Sequence, residues 1–237
     1  MARNGKLEKF EENKSFSHVF EPSYTALQQN DLAYKNKWNS DFFKNNNKII
    51  AELGCGKGEY TVALAEQNTE NNYIGVDIKG ARIWKGAKQS HEKQLKNVAF
   101  VRTRIEFLPK CFGKEEIDEI WITFPDPQLR RKKRVKKRLT SSRFLAYYQR
   151  FVKNNAIIHL KTDDDELYRY THEVLKINNF NIVRDIQDLY NSGVEDPFLN
   201  IKTFYEKMWL NEGKTIKVVS FKLPIEKNLI EPKFEED

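Results

Sequence analysis

Cysteine is nearly missing from this chain: Cys55 and Cys111 are the only two among 237 residues. Two thiols cannot build a disulfide framework, and with no CxxC pair and no His/Cys cluster the spacing of a zinc site is absent as well. Long apolar runs are lacking too; no stretch approaches the ~18 residues that a membrane span needs. The opening residues, MARNGKLEKFEENKSF, carry no apolar core of the kind a secretory leader requires. The four histidines (His18, His91, His159 and His172) are scattered and form no catalytic grouping. These absences predict a cytoplasmic protein with no membrane anchor and no resident metal.

What is present points to a soluble globular chain. Apolar residues make up 39% and aromatics 13%, enough for a substantial core, while 32% of residues are charged. The length suits one sizeable domain with appendages. Residues 1–46 are polar with scattered aromatics and read as a partly ordered arm, with one or two helical turns before Trp38; residues 47–237 read as the domain. The net charge is +7, yet residues 130–138 alone hold eight cations, so the chain outside that run is close to neutral. Charge concentrated in one place predicts a binding patch for a polyanion.

Lys48–Leu53 (KIIAEL) reads as a buried strand, Gly54-Cys55-Gly56-Lys57-Gly58 as a tight loop, and Glu59–Gln67 as a helix. Strand, glycine loop and helix form a nucleotide-binding βα unit, in which missing Cβ atoms let backbone N–H groups approach a ligand. A second strand ends in Asp77, placed to hold the two hydroxyls of a ribose. The glycine spacing selects the cofactor. A dinucleotide fingerprint would need glycine at position 59, where this chain has Glu59; the pattern here is ExGxGxG, starting at Glu52. That suits S-adenosylmethionine, which has no pyrophosphate to cradle but carries a cationic sulfonium whose charge Glu52 can offset. The predicted cofactor contacts are therefore Glu52, Gly54, Gly56, Gly58 and Asp77.

Further along, strands are predicted at 98–102, 117–124 and 156–160, with helices over 81–94, 105–112, 140–152 (Thr140 as N-cap) and 164–177. Residues 180–186 and 215–223 read as two last strands, an antiparallel closing pair. Strands alternating with helices predict an α/β fold: a doubly wound, Rossmann-like sheet, mostly parallel, with its ligands at the carboxyl ends of the strands. Glu52, Asp77, Asp126 and Asp163 all fall at such ends.

The most distinctive stretch is IWITFPDPQLRRKKRVKKR, residues 120–138. Pro125 and Pro127 stop the strand, because proline has no N–H for the ladder and restricts the residue before it. Asp126 is thereby exposed at the rim, with Arg130, Arg131, Lys132, Lys133, Arg134, Lys136, Lys137 and Arg138 close behind. These cations are predicted to hold phosphates, which positions a nucleic acid without reading its sequence.

With Glu52 to Gly58, Gly75-Val76-Asp77, Phe124-Pro125-Asp126-Pro127 and the basic run in view, the chain resembles the bacterial tRNA (guanine-N7-)-methyltransferases across residues 48–223. Lys161-Thr162-Asp163 and Thr203-Phe204-Tyr205-Glu206 match in the same order. The resemblance implies transfer of a methyl group from S-adenosylmethionine to N7 of the guanosine at position 46, in the tRNA variable loop. It implies that Asp126 serves both cofactor and catalysis, and that Arg130, Asp163, Thr203 and Glu206 bind the substrate. Two positions depart from the family. Gln128 stands where a tryptophan usually follows the motif, and Arg104 where an acidic or amide residue usually faces adenine, which leaves that contact to the backbone around Ile105. The partner implied is tRNA, with the protein a monomer or homodimer.

Three other readings stay open on the residues themselves. A methyltransferase acting on an exocyclic amine would carry an aromatic after its Pro-containing motif, which Gln128 is not. A non-catalytic RNA-binding protein would have no use for the full set of Glu52, the loop glycines and Asp77. A nicotinamide oxidoreductase is disfavoured by the glycine spacing. Asp163 also has an ordinary alternative, as the cap of the helix that follows it.

Overall fold

The computed structural model describes residues 5–128 and 132–233. Eight strands form one sheet: β1 (Val19–Phe20), β2 (Lys48–Leu53), β3 (Asn71–Asp77), β4 (Val98–Arg102), β5 (Ile117–Thr123), β6 (Val152–Thr162), β7 (Asn181–Ile186) and β8 (Lys217–Leu223). Their spatial order is β1-β4-β3-β2-β5-β6-β8-β7. Pairing is parallel from β1 across to β6, and β8 runs antiparallel to both of its neighbours. The order reverses between β2 and β5, and the crevice outside the carboxyl ends of those two strands is where such a sheet receives its ligand.

The central strands are covered on both faces, and therefore read as nearly continuous apolar runs. From β2, Ile49, Ala51 and Leu53 point into one core layer and Ile50 into the other, with Tyr60, Tyr73 and Phe100. Helices α1 (Lys6–Ser15), α2 (Tyr24–Gln29), α3 (Glu59–Gln67), α4 (Gly80–Glu92), α5 (Leu108–Cys111), α6 (Ser142–Tyr148), α7 (Asp165–Ile177) and α8 (Phe204–Asn211) complete the fold. Helix α7 shows why the sequence folds as it does: Leu167, Tyr170, Thr171 and Val174 recur at helical spacing and are buried, and the Asp164 carboxylate accepts from Leu167 N at 2.6 Å. Asp164, not Asp163, is thus the cap. Helix α6 is capped by Ser141, one residue later than expected; Thr140 is buried against Thr171 at 2.7 Å.

The segment before residue 47 joins the body. β1 pairs with β4 and forms one edge of the sheet. Trp38, in a π-helical turn, is fully buried and donates its indole N–H to the Cys111 carbonyl at 3.0 Å. A two-residue strand is too short to show a period, so β1 has no signature in the residues themselves.

Candidate active site

The loop between β2 and α3 is built from three left-handed glycines, Gly54 (φ 78°), Gly56 (φ 56°) and Gly58 (φ 68°), a conformation that L side chains avoid. They do not share one purpose. A Cβ on Gly58 would lie 2.7 Å from Phe100 Cε1 and 3.2 Å from Gly86 Cα, so that glycine lets the loop pack against the core and α4. A Cβ on Gly54 or Gly56 would meet nothing closer than 3.8 Å. Those two leave the backbone open at the rim.

Asp77 closes the loop from the end of β3: Oδ2 accepts from Gly56 N at 2.9 Å and Oδ1 from Lys79 N at 2.7 Å. A carboxylate oxygen has a second lone pair, so both remain able to accept from a ligand hydroxyl. Glu52 sits beneath, almost fully buried. It accepts from Thr61 N at 2.9 Å, from the Thr61 hydroxyl, and from the Thr123 hydroxyl at 2.6 Å. Burial pushes its carboxyl up to about 7, against the pull of these hydrogen bonds, and the Asp77 charge adds to the rise. Glu52 thereby ties the start of α3 to the end of β5. Cys55, in the same loop, is buried and its thiol is driven well above the usual range, first by burial and then by Glu52 and Asp77. It is no nucleophile.

β5 ends at Thr123, and the loop after it is strained. Phe124 and Gln128 flank Pro125-Asp126-Pro127 with φ of 48° and 58°, left-handed values that cost non-glycine residues free energy. Phe124 N donates to the Lys161 carbonyl at 2.8 Å at the entry, and Gln128 N donates to Asp126 Oδ1 at 2.9 Å at the exit. Asp126 is exposed, as expected. Arg130 and Arg131 lie outside the described residues, as do the side chains of Lys132, Lys133 and Arg134. Lys136 and Lys137 are exposed at the end of a 3-10 turn. Arg138 departs from the reading of eight surface cations: it is 2% exposed, with Nε donating to the Pro127 carbonyl at 2.9 Å and Nη2 paired with Glu166.

The other predicted substrate residues fall into two groups. Asp163, at the end of β6, is paired with Lys214 at 2.9 Å. Thr203 caps α8 by accepting from Glu206 N at 3.2 Å. Glu206 does not reach the surface. It is fully buried, paired with the equally buried Lys161 at 2.7 Å and accepting from the Tyr190 hydroxyl at 2.7 Å. Lys161 also donates to the carbonyls of Leu199 at 2.6 Å and Ile201 at 3.1 Å. The segment with Thr203 is therefore pinned from below, and from the side by Phe204 N donating to Glu59 Oε2 at 2.8 Å. Phe204 and Tyr205 stay exposed, with Lys57 Nζ 4.2 Å from the centre of the Phe204 ring. Arg104 is exposed and paired loosely with Glu106 at 3.8 Å.

Sequence reasoning missed Thr61, Thr123, Glu59 and Tyr190, and assigned no role to Lys161 although it stands in the matched Lys161-Thr162-Asp163. One signal was available: Lys161 closes the mostly apolar run AIIHLK, broken before it only by His159, and a lysine in such a run needs a buried partner. Among the described residues no group of three or more His, Cys, Asp or Glu is placed to hold a metal ion, and no helix is long and apolar enough to cross a membrane.

A family model described as a putative methyltransferase matches residues 46–219. The tRNA (guanine-N(7)-)-methyltransferase of Bacteroides fragilis is 47% identical over 235 residues, spanning 99% of this chain and 92% of that protein. That of Christiangramia forsetii is 46% identical, over 94% of this chain and all of its own length. Among solved structures, an antibiotic-related methyltransferase aligns with a TM-score of 0.59 at 20% identity, over 81% of this chain and 95% of that one. The 16S rRNA methyltransferase KamB aligns with a TM-score of 0.60 at 12% identity, over 80% of this chain and 93% of its own. At such identities the two structures speak for the Rossmann-like methyltransferase fold alone. The sequence relatives go further: with nearly the whole chain matched at almost half identity, this protein belongs to the tRNA (guanine-N(7)-)-methyltransferase family.

Proposed function

We propose that the protein transfers a methyl group from S-adenosylmethionine to N7 of guanosine 46 in the variable loop of tRNA, in the cytoplasm. The observation that supports this reading is that Glu52, Asp77 and Asp126 stand at or just past the carboxyl ends of the adjacent parallel strands β2, β3 and β5, with Asp77 on Gly56 N and the glycine loop following Glu52. The residues fit the cofactor. Asp77 would hold the ribose hydroxyls, Gly54 and Gly56 leave room for close approach, and Glu52 supplies negative charge beneath a cation. Bound there, S-adenosylmethionine supplies a methyl group on cationic sulfur, which N7 takes by in-line displacement.

Guanine N7 carries an in-plane lone pair and no proton, so the chain needs neither a general base nor a nucleophile of its own. Its work is alignment, which can supply ~7–11 kcal/mol of a barrier. The purine becomes positive as it accepts the methyl group, and a carboxylate at the rim stabilises that charge. Asp126, exposed after β5 with Oδ1 fixed by Gln128 N, takes this part. Asp163, just past the end of β6, and Thr203, at the start of α8, serve guanosine capture. Glu206 assists by holding Thr203 in place. The groups assigned here belong to one chain, so the chemistry is available to a monomer or to each half of a homodimer.

The reading is tested by methyl transfer from labelled cofactor to unmodified tRNA, beside a tRNA whose variable-loop G is changed to A. Label should appear as 7-methylguanosine in the first and vanish in the second. Label on an exocyclic amine, or tight tRNA binding with no transfer, would replace this function with another. Asp126→Ala should lower kcat by about 100-fold, the scale of a lost electrostatic stabiliser, with tRNA affinity nearly intact; an unchanged kcat removes Asp126 from the chemistry. Lys136→Ala should weaken all tRNAs alike and flatten the plot of log K against log salt by about 0.7–0.9. A loss confined to certain tRNAs would contradict a phosphate contact.

A further inference from the structure

Resting on the tRNA-methylation reading, we infer that Arg138 is a positioning residue for Asp126, and not one of the cations that hold the tRNA. It is the last member of the basic run, and composition gives no reason to separate it from Lys136 and Lys137. The structure separates them: Lys136 and Lys137 are exposed, whereas Arg138 is 2% exposed. A guanidinium that deep needs partners for its fork of donors. Nε donates to the Pro127 carbonyl at 2.9 Å, Nη2 pairs with Glu166 on α7, and the guanidinium carbon lies 4.5 Å from the centre of the Tyr170 ring.

The bond to Pro127 gives this anchoring a catalytic consequence. Pro125 and Pro127 have no N–H, so the loop can use few of its own donors to fix itself. Its two flanking residues are in left-handed conformations that persist only when the surroundings impose them. The Lys161 carbonyl fixes the entry, and Arg138 fixes the exit. The carbonyl that Arg138 holds belongs to the residue immediately before Gln128, and Gln128 N sets Asp126 Oδ1. The chain of contact runs from α7 through Arg138 and the Pro127–Gln128 peptide to the rim carboxylate. Leu139, the next residue, packs beside Gly54: its Cδ1 is the nearest atom, at 3.8 Å, to where a Cβ on that glycine would stand. One turn of chain thus borders both the glycine loop and the Asp126 loop.

Arg138→Lys keeps the charge but replaces the flat fork with a single ammonium, which cannot serve Pro127 and Glu166 in the same geometry. For this variant kcat at saturating tRNA should fall by about 100-fold, the effect of a misplacement near 1 Å, with tRNA affinity and its salt slope as in the wild type. Hydrogen exchange should speed up across residues 122–128 while β2 stays protected. Arg138→Met reports the same loop by exchange if it folds; the lysine variant suffices if it does not. A salt slope flattened by about 0.7–0.9 with kcat retained would make Arg138 a phosphate contact and overturn the inference. Unchanged exchange at 122–128 would overturn it as well. Wild-type protein that fails to methylate tRNA would overturn the proposed function instead, and the exchange experiment would still decide what Arg138 holds.

Discussion

Lys161→Met should destabilise the protein by about 3–5 kcal/mol, the usual result of removing one partner of a buried ion pair. The reason lies in how completely Lys161 and Glu206 are enclosed: neither side chain has measurable exposure. Burial pulls the lysine below its ordinary pKa, while the Glu206 carboxylate beside it pulls the other way. With the ammonium gone, Glu206 would keep the Tyr190 hydroxyl but no charge, and the carbonyls of Leu199 and Ile201 would lose their donor. A typical domain has only about 5–15 kcal/mol in all, so the fall in urea midpoint should be large. Lys161→Met combined with Glu206→Leu should recover part of the loss by removing the stranded charge, but not the part due to the two carbonyls. A single variant costing under about 1 kcal/mol would show that the pair is solvated after all.

Glu52 makes the second large prediction, in the pH dependence. Its carboxyl titrates near 7 in the fold against an ordinary 4.5. Between those values the folded chain keeps a proton that the unfolded chain has lost. The stability tied to it is therefore fully present below about 4.5 and is lost as pH rises through about 7, a change of about 3 kcal/mol. Wild-type protein without cofactor should thus lose about 2.5 kcal/mol of this from pH 5 to pH 8 relative to Glu52→Gln, which has no such proton to lose. The cofactor's cationic sulfur should favour the ionised carboxylate, so its binding should release protons near pH 6.5 and tighten as pH rises through about 7. Calorimetry in two buffers of different ionisation heat measures the release directly. An equal pH profile for wild type and Glu52→Gln would remove Glu52 from both roles.

Much of this was legible because the signals are local. β2, α3 and β4 fall on the predicted residues, since an apolar run, a glycine cluster and a helical period are each contained within a few residues of their neighbours. The rim position of Asp126 followed from two prolines. What could not be read depends on tertiary placement. Arg138 looks like Lys137 in sequence, and only the approach of α7 buries one and leaves the other exposed. Glu206, on α8, matches a substrate-binding position, yet the Lys161 that claims it comes from β6, 45 residues earlier in the chain. α8 was lost in a segment with no continuous period, because its start is fixed by Thr203 and Glu59 and its apolar face is narrow.

The placement of β8 bears on the order in which the molecule assembles. β6 and β7 follow one another in the chain but cannot pair; each waits for β8 to enter between them, and the contact of His159 with Ser220 closes a loop of 61 residues. Pairings that reach so far form late, whereas β2 with β3 and β3 with β4 pair across only 23 and 25 residues (Lys48 with Asn71, Tyr73 with Val98). The half of the sheet with the glycine loop and Asp77 should therefore be the first to form and the last to open. The half that holds Lys161, Asp163 and the segment behind Thr203 depends on the final strand. On the site assignments proposed above, mild denaturant should cost the protein its hold on guanosine before its pocket for the methyl donor, with a state between that holds one substrate and not the other.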